Sequence, residues 1–403
     1  MGKRVHNIRA AWIRLQLESP AWMQRALLPR LHAAKGLARL RPALVVQRLS
    51  GHNAGGPLRV DYAGLEHRPG MADALFDDEP IVQSTRRIAA WRIGALAAKS
   101  DADLTVVAGS FYLVNRLPRH DALVLPLLVD MTLDVSGDWQ AVRRRLHESV
   151  RRHELRLVRK YAYEYEISAR DSDFEMFYRK MYAPTMRNRK GRLVALKPFV
   201  IAREYFRHSQ LLYLIRRRDE VVAGLLATRR GRTVRAELMG VYDADETLIH
   251  KGALGAAFYA VVHWANQNGY AEVDFGGAVP RLSNGVFQNK RKWGAVVSPS
   301  PTLHKRIWLK AQRDTPAVRH FLRETPLITV GPDGRFHGLI AVDDPASVTE
   351  EIRRDWDVRY ATPGLVDLQV RAIDDLIAGR SSGKGDAPSL AQPALALPTL
   401  NED

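Results

Sequence analysis

From residue 211 onward, apolar and polar positions alternate in blocks of strand length. LLYLIRR, VVAGLLATRR and TVRAELMGVYDA are separated only by the polar turns RDE and Gly231-Arg232, which predicts three consecutive antiparallel strands. The period then changes. In KGALGAAFYAVVHWANQNG, Leu254, Phe258, Val261, Val262 and Ala265 stand at helical spacing, and Asn268-Gly269 supplies a left-handed stop. AEVDFGG returns to a strand pattern, a short basic helix follows, and AVVSPSP and HKRIWLK predict two more strands.

Upstream, the pattern predicts two amphipathic helices within residues 5 to 41, broken near Ser19 and Pro20. ALVVQRL, PLRVDY, LTVVAGSFYLV and ALVLPLLVDMTLDV read as strands, with helical material over DEPIVQSTRRIAAWRIGALAAKS (78 to 100). Residues 137 to 160 predict one helix, with Trp139, Val142, Leu146 and Val150 on a face. YAYEYEIS (161 to 168) alternates as a half-buried strand. Ser172 and Glu175 fit a capping box opening a helix that should stop before Pro184, and a further helix begins near Pro198. From residue 381 the Pro-, Ala-, Ser- and Gly-rich tail has no period and is expected to be disordered.

The fold class expected from this order is α/β (α+β): a mixed, largely antiparallel sheet flanked by helices. The expected divisions are a basic helical segment (1–42), an N-terminal α/β half (43–135), a central domain (136–300), a C-terminal extension (301–380) and the tail (381–403).

Composition narrows the chemistry. There are no cysteines, which excludes disulfides, thiolate metal sites and a cysteine nucleophile. The histidines show no HExxH or comparable spacing, so no metal is expected. No apolar run reaches membrane-spanning length, and the N-terminus lacks an uninterrupted apolar core, so the expected location is the cytoplasm, with a peripheral place at the inner face of the membrane left open. The formal net charge of +17 is unevenly placed: residues 1 to 50 hold ten Lys and Arg against Glu18 alone. Such a field attracts polyanions, whether anionic lipid or nucleic acid, and solvated helix faces explain it equally well.

Three stretches carry candidate chemistry. HKGALG places Gly252 and Gly255 at a helix entrance, where free N–H groups and the helix dipole favour an anion such as a pyrophosphate. In AELMGVYDADE, Gly240 inside a strand suggests a bulge or a close backbone approach, and a strand splayed there would expose amides able to hold a carbonyl oxygen. Glu237, Tyr242, Asp243 and Asp245 cluster at that end. In VDFGGAVPRLSNGVFQNKRKWGA, Asp274 faces opposite Val273 and Phe275, the glycine pair ends the strand, and Lys290, Arg291 and Lys292 bring charge back beside the sheet.

Asp274-Phe275-Gly276-Gly277, followed by Lys290-x-x-Trp293-Gly294, together with DFEMFYRKMY, the RRRDEVVAGLLA hairpin and a helix ending Asn-Gly, resembles the BioF-like and Fem-type (FemAB-like) acyltransferases of the GNAT superfamily. The likeness spans residues 136 to 297. It implies a GNAT-like sheet, with two GNAT-like halves left open, and an acyltransferase of the GNAT N-acetyltransferase kind that moves an acyl group from acetyl-CoA or another acyl-CoA to an amine of a small molecule, sugar or cell-envelope precursor. By the same resemblance Lys251, Gly252 and Gly255 would hold the donor phosphates, although the glycine spacing departs from the usual superfamily pattern. Lys290 would meet a phosphate or polarised carbonyl, Asp274 would orient the amine or support the loop, and Glu237 and Tyr242 would be base and acid. Two alternatives remain: aminoacyl transfer from a charged tRNA, and a non-catalytic protein whose basic N-terminal region docks on an anionic membrane or nucleic acid.

Overall fold

The computed structural model describes residues 43–64, 68–188, 196–299 and 305–379. The amphipathic helices expected within 5 to 41 and the tail expected from 381 lie outside the described residues. The chain forms two compact units, the first drawn from the described residues of 43–127, 280–284 and 305–379, the second from those of 128–279 and 285–299. The expected boundary after 135 thus falls after 127, and the C-terminal extension joins the N-terminal half.

The first unit begins with β1 (Ala43–Asn53), β2 (Gly56–Ala63), β3 (Ile81–Ala89), β4 (Leu104–Ser110) and β5 (Leu123–Pro126). The second takes β6 (Val129–Asp134), β7 (Tyr163–Ser168), β8 (Leu211–Arg217), β9 (Glu220–Arg230), β10 (Thr233–Val241), β11 (Glu272–Ala278) and β12 (Val296–Pro299). The chain returns to the first with β13 (Lys305–Ala311), β14 (Leu327–Val330), β15 (Phe336–Val342) and β16 (Leu368–Ala372).

The first unit's six-stranded sheet has the order β3-β1-β2-β4-β13-β5, beside a three-stranded sheet β14-β15-β16. The second unit's seven-stranded sheet has the order β12-β6-β11-β10-β9-β8-β7. In both larger sheets an antiparallel set leads into one parallel pair, β2 with β4 or β10 with β11, and the strand beyond that pair is again antiparallel. That next strand comes from elsewhere in the chain each time: β6, which follows β5, lies between β11 and β12, while β13, which follows β12, lies between β4 and β5. The continuous run ALVLPLLVDMTLDV therefore breaks at Leu127-Leu128 and serves two sheets. The fold is mixed α/β with largely antiparallel sheets flanked by helices.

The β8-β9-β10 meander follows the expected alternation, and the helix Ala253–Gln267 lies where the 3.6-residue period put it, ending at Gly269 in the left-handed region (φ 73°). A second core packs Phe174, Phe177, Met181 and Phe206 on Leu212, Leu214 and Leu226. Four local expectations differ. IVQSTRRIA is strand β3, an edge strand exposed along most of its length, so no buried stripe marked it. Phe111–Val114, expected to extend a strand, is a short helix capped by Ser110. Residues 137 to 160 break between Trp139–Arg145 and the turns from Val150, because Leu146 is extended and the His147 amide donates to the Lys292 carbonyl. Ser172 lies inside the helix Asp171–Met176 rather than capping it, and a π-turn (Phe177–Tyr182) leads into a helix (Ala183–Asn188) containing Pro184 near its start, where a missing N–H is tolerated.

Candidate functional site

The second unit's parallel pair is short. β10 and β11 match only Thr233 with Glu272, Val234 with Val273 and Arg235 with Asp274. Past Arg235, β10 runs on to Val241 paired with β9 alone, while β11 shifts register against β6 between Asp274 and Gly277. The two strands therefore part at Arg235 and Asp274, and a fork opens between them.

Local sequence explains the parting. On β11, Gly276 takes φ 77°, a region a side chain disfavours, and its amide donates to Asp274 Oδ1 at 2.6 Å. Lys290 reaches back from the helix Gly285–Lys292, buried, and its Nζ donates to the carbonyls of Gly276 and Gly277, both at 2.9 Å. Asp274 and Lys290 thus stitch the bulge of β11 from both sides. On β10 the register against β9 shifts between Ala236 and Leu238, which makes Glu237 the extra residue of a second bulge. Gly240 is not the bulge but the close approach: a Cβ there would lie 2.4 Å from the backbone of Met181. At the far end, Thr185 Oγ1 accepts from the Val241 amide at 2.9 Å and donates to the Val241 carbonyl at 3.2 Å, so both groups point away from β9. Strand alternation then points the main-chain groups of Met239 to the same open side. Glu237 agrees with this picture, because its side chain is only 4% exposed while the residue as a whole is partly accessible: solvent reaches its main chain.

Charges line the point of parting in two layers. The carboxylates of Glu237, Asp274 and Asp130 are buried. Arg235 and Lys197 cover them and remain about a quarter and a third exposed, at 23% and 35%. Arg235 is paired with Asp274 and lies 3.6 Å from Glu237 and 4.0 Å from Asp130. Glu237 also accepts from Lys197 Nζ at 2.9 Å and Thr228 Oγ1 at 3.1 Å, with Arg230 at 3.6 Å. Burial alone would raise the Glu237 pKa, but Lys197, Arg235 and Arg230 outweigh it and hold the group at about 2. An anion so firmly held is a poor proton acceptor near neutrality, so the expectation of Glu237 as a base gives way to that of an anchor for three cations. Lys197 stands over the Tyr205 ring, 4.5 Å from its centroid.

The other sequence candidates lie apart from this cluster. Tyr242 begins the turn Tyr242–Ala244 just beyond β10 and packs against the Phe174–Phe206 core, while Asp245 caps the following short helix by accepting from the Thr247 amide. Gly252 (φ 87°) starts the helix Ala253–Gln267, and the Lys251 carbonyl accepts from Tyr163 Oη at 3.3 Å. The room beside both glycines is filled: a Cβ on Gly252 would lie 3.0 Å from Leu157, and one on Gly255 would lie 2.3 Å from Glu154 Oε2. A carboxylate stands beside the first turn, and in that position its charge disfavours a phosphate there. Lys197, Arg230 and Arg235 escaped the sequence reading because arginines and lysines are common throughout the chain, and only the fork's geometry selects these three.

Among the described residues no group of three or more His, Asp or Glu is placed to hold a metal, and no helix is long and apolar enough to cross a membrane. No protein-family model and no curated protein matches the chain. Solved structures do resemble it. One is the C-terminal domain of a protein described as a lysylphosphatidylglycerol synthetase from Agrobacterium fabrum, at 13% identity and TM-score 0.35, covering 78% of this chain and 94% of that one. Another is FemX, at 11% identity and TM-score 0.36, covering 66% and 84%. A GCN5-related N-acetyltransferase from Anabaena variabilis follows at 10% identity and TM-score 0.27, covering 77% and 71%. All three likenesses are at low identity, with TM-scores of 0.36 or below.

Proposed function

We propose that the chain is an acyltransferase of the Fem-like kind that moves an aminoacyl group from an ester donor carried on tRNA to an amine, with the β10/β11 fork as its transfer site. The observation that supports this is the open edge of β10 beyond Arg235: a strand with one partner, bulged at Glu237 and clamped at Val241, presents main-chain amides to a slot. A carbonyl inserted there meets the Met239 amide, which then stabilises the oxygen as it gains charge. The amine attacks the carbonyl carbon, a C–N bond forms, the C–O bond of the ester breaks, and the leaving oxygen takes up the proton the amine gives up. Rate comes from positioning and backbone electrostatics rather than from a side-chain base. Arg235, Asp274 and Lys290 are positioning residues that fix where the strands part.

The donor follows from charge. Glu154 at the helix entrance opposes a pyrophosphate, whereas an aminoacyl ester needs none at that turn, and a net charge of +17 suits a polyanionic carrier. Retention of labelled aminoacyl-tRNA at micromolar concentration, with acetyl-CoA not retained, is the expected result of a paired filter-binding assay. Acetyl-CoA bound at micromolar concentration, and tighter in Glu154→Gln, would restore the coenzyme A reading. Binding of neither donor would remove the transferase reading altogether.

A further inference from the structure

The first unit carries a second surface feature that the transfer site leaves unused. Strand directions locate it: β1 runs antiparallel to β2 and β3, and β2 parallel to β4, so β2, β3 and β4 all end at one edge of the six-stranded sheet. β13 is antiparallel to β4 and therefore begins there, with Arg306 opposite Gly109. Two aromatic tips stand at this end. Trp91 follows the end of β3 in the turn Ala90–Arg92 and is 77% exposed; Phe111 and Tyr112 follow the end of β4, both exposed, their rings 5.4 Å apart. Three strand spacings separate β3 from β4, so the tips lie roughly 14 Å apart across the sheet end.

Arginines surround them. Arg87 and Arg92 flank Trp91, Arg116 follows Tyr112, and Arg306 opens β13; among the described residues none of these pairs with a carboxylate. Arg306 is partly buried, and its pKa is lowered first by burial and then by the charge of Arg119. The described part of the chain also begins here, because β1 starts at this end with Ala43.

We infer that this end of the sheet docks on an anionic lipid bilayer, with Trp91, Phe111 and Tyr112 entering the headgroup layer and the arginines meeting lipid phosphates. Tryptophan and tyrosine favour the membrane–water interface because one part of each ring system is apolar and the other donates a hydrogen bond. Each arginine adds attraction to a negatively charged leaflet. Single-stranded nucleic acid also uses rings and cations, but it stacks bases along grooves or sheet faces, whereas these rings stand at strand ends as projecting tips. The inference is independent of the transfer reading.

Flotation of the full chain with phosphatidylglycerol-containing vesicles, and with pure phosphatidylcholine vesicles as the comparison, tests it. Binding is expected only to the anionic vesicles and should weaken as salt rises. Replacing Arg87, Arg92 and Arg116 together with Gln should weaken it roughly hundredfold, and the Trp91→Ala, Phe111→Ala, Tyr112→Ala triple variant at least about tenfold. Both variants should unfold at the wild-type temperature, since the residues are exposed. Equal binding to neutral vesicles, no binding, or binding that survives both variants and so belongs to residues 1 to 42 alone would each overturn the inference. So would tight binding of single-stranded RNA that the same variants abolish while vesicle binding stays weak.

Discussion

Each of the two larger sheets has one parallel strand pair, and the pairs are built differently. In the first unit, β2 pairs with β4 from Val60 with Leu104 to Ala63 with Val107, and β2 ends there. Gly64 turns the chain away at φ 87°, so close to β4 that a Cβ would meet the Ala108 carbonyl oxygen. Val60, Tyr62 and Val106 fill one face with no exposure. In the second unit, β10 continues from Ala236 to Val241 after its pairing with β11 stops. Both junctions bury a carboxylate held by arginine: Asp61 accepts two 2.9 Å bonds from Arg48 and one of 2.8 Å from Ser100, much as Glu237 is held by its three cations. Buried ion clusters therefore do not mark the site. What distinguishes the proposed transfer site is the length of strand left with one partner: β10 runs on from Ala236 to Val241, whereas at the first unit's junction β4 runs on only from Ala108 to Ser110, with Gly64 seated against Ala108.

The largest effects should come from the two carboxylates. Glu237→Leu strands Lys197, Arg230 and Arg235 without their shared anion, which should destabilise the protein by about 3 to 5 kcal/mol and abolish transfer. Asp61→Leu should cost a similar amount and lower the unfolding temperature, yet leave transfer per folded molecule unchanged. Loss of transfer in folded Asp61→Leu protein would break the comparison. The acid limb sharpens it further. The folded pKa of Glu237 is depressed from 4.5 to about 2, so its contribution is present above about pH 4.5 and disappears as pH falls toward 2. A shift of that size corresponds to about 3 kcal/mol. Glu237→Gln should flatten stability between those pH values in thermal unfolding experiments.

Arg235→Lys is the next step down. It keeps a charge at the parting point but loses the planar fork that joins Asp274 to Glu237. Stability should fall by about 1 kcal/mol, and kcat for aminoacyl transfer roughly tenfold to a hundredfold with KM little changed, as expected of a positioning residue. A pure KM effect would instead place Arg235 on the donor.

Much of this was legible in the sequence. The meander, the helix ending at Asn268-Gly269 and the DFGG strand all have single periods bounded by clear turns, and the structure keeps them. The fork itself was anticipated from Gly240, but for a reason only half right: Gly240 admits the Met181 backbone, while the bulge falls three residues earlier at Glu237. Lys290, expected to meet a phosphate or polarised carbonyl, is instead buried with its Nζ on two main-chain carbonyls, a place that depends on the bulge of β11 at Gly276 and carries no sequence signal. That β6 lies between β11 and β12, and β13 between β4 and β5, was not legible, because a strand's alternation says which face is buried and nothing about which neighbour it pairs with.

The smallest expected effect tests whether the first unit's stability and the fork can be separated. Gly94 lies inside the helix Ile93–Lys99, and a Cβ there would meet nothing within 4 Å. Gly94→Ala should therefore stabilise the protein by about 0.5 to 1 kcal/mol, because it removes backbone freedom from the unfolded chain without a native clash. If the closed β2/β4 junction is scaffold and the open β10/β11 junction is the site, this gain appears as a higher unfolding temperature while transfer at a fixed temperature stays the same. A matching rise or fall in transfer would mean that the first unit tunes the fork, and its parallel pair would then count as part of the machinery.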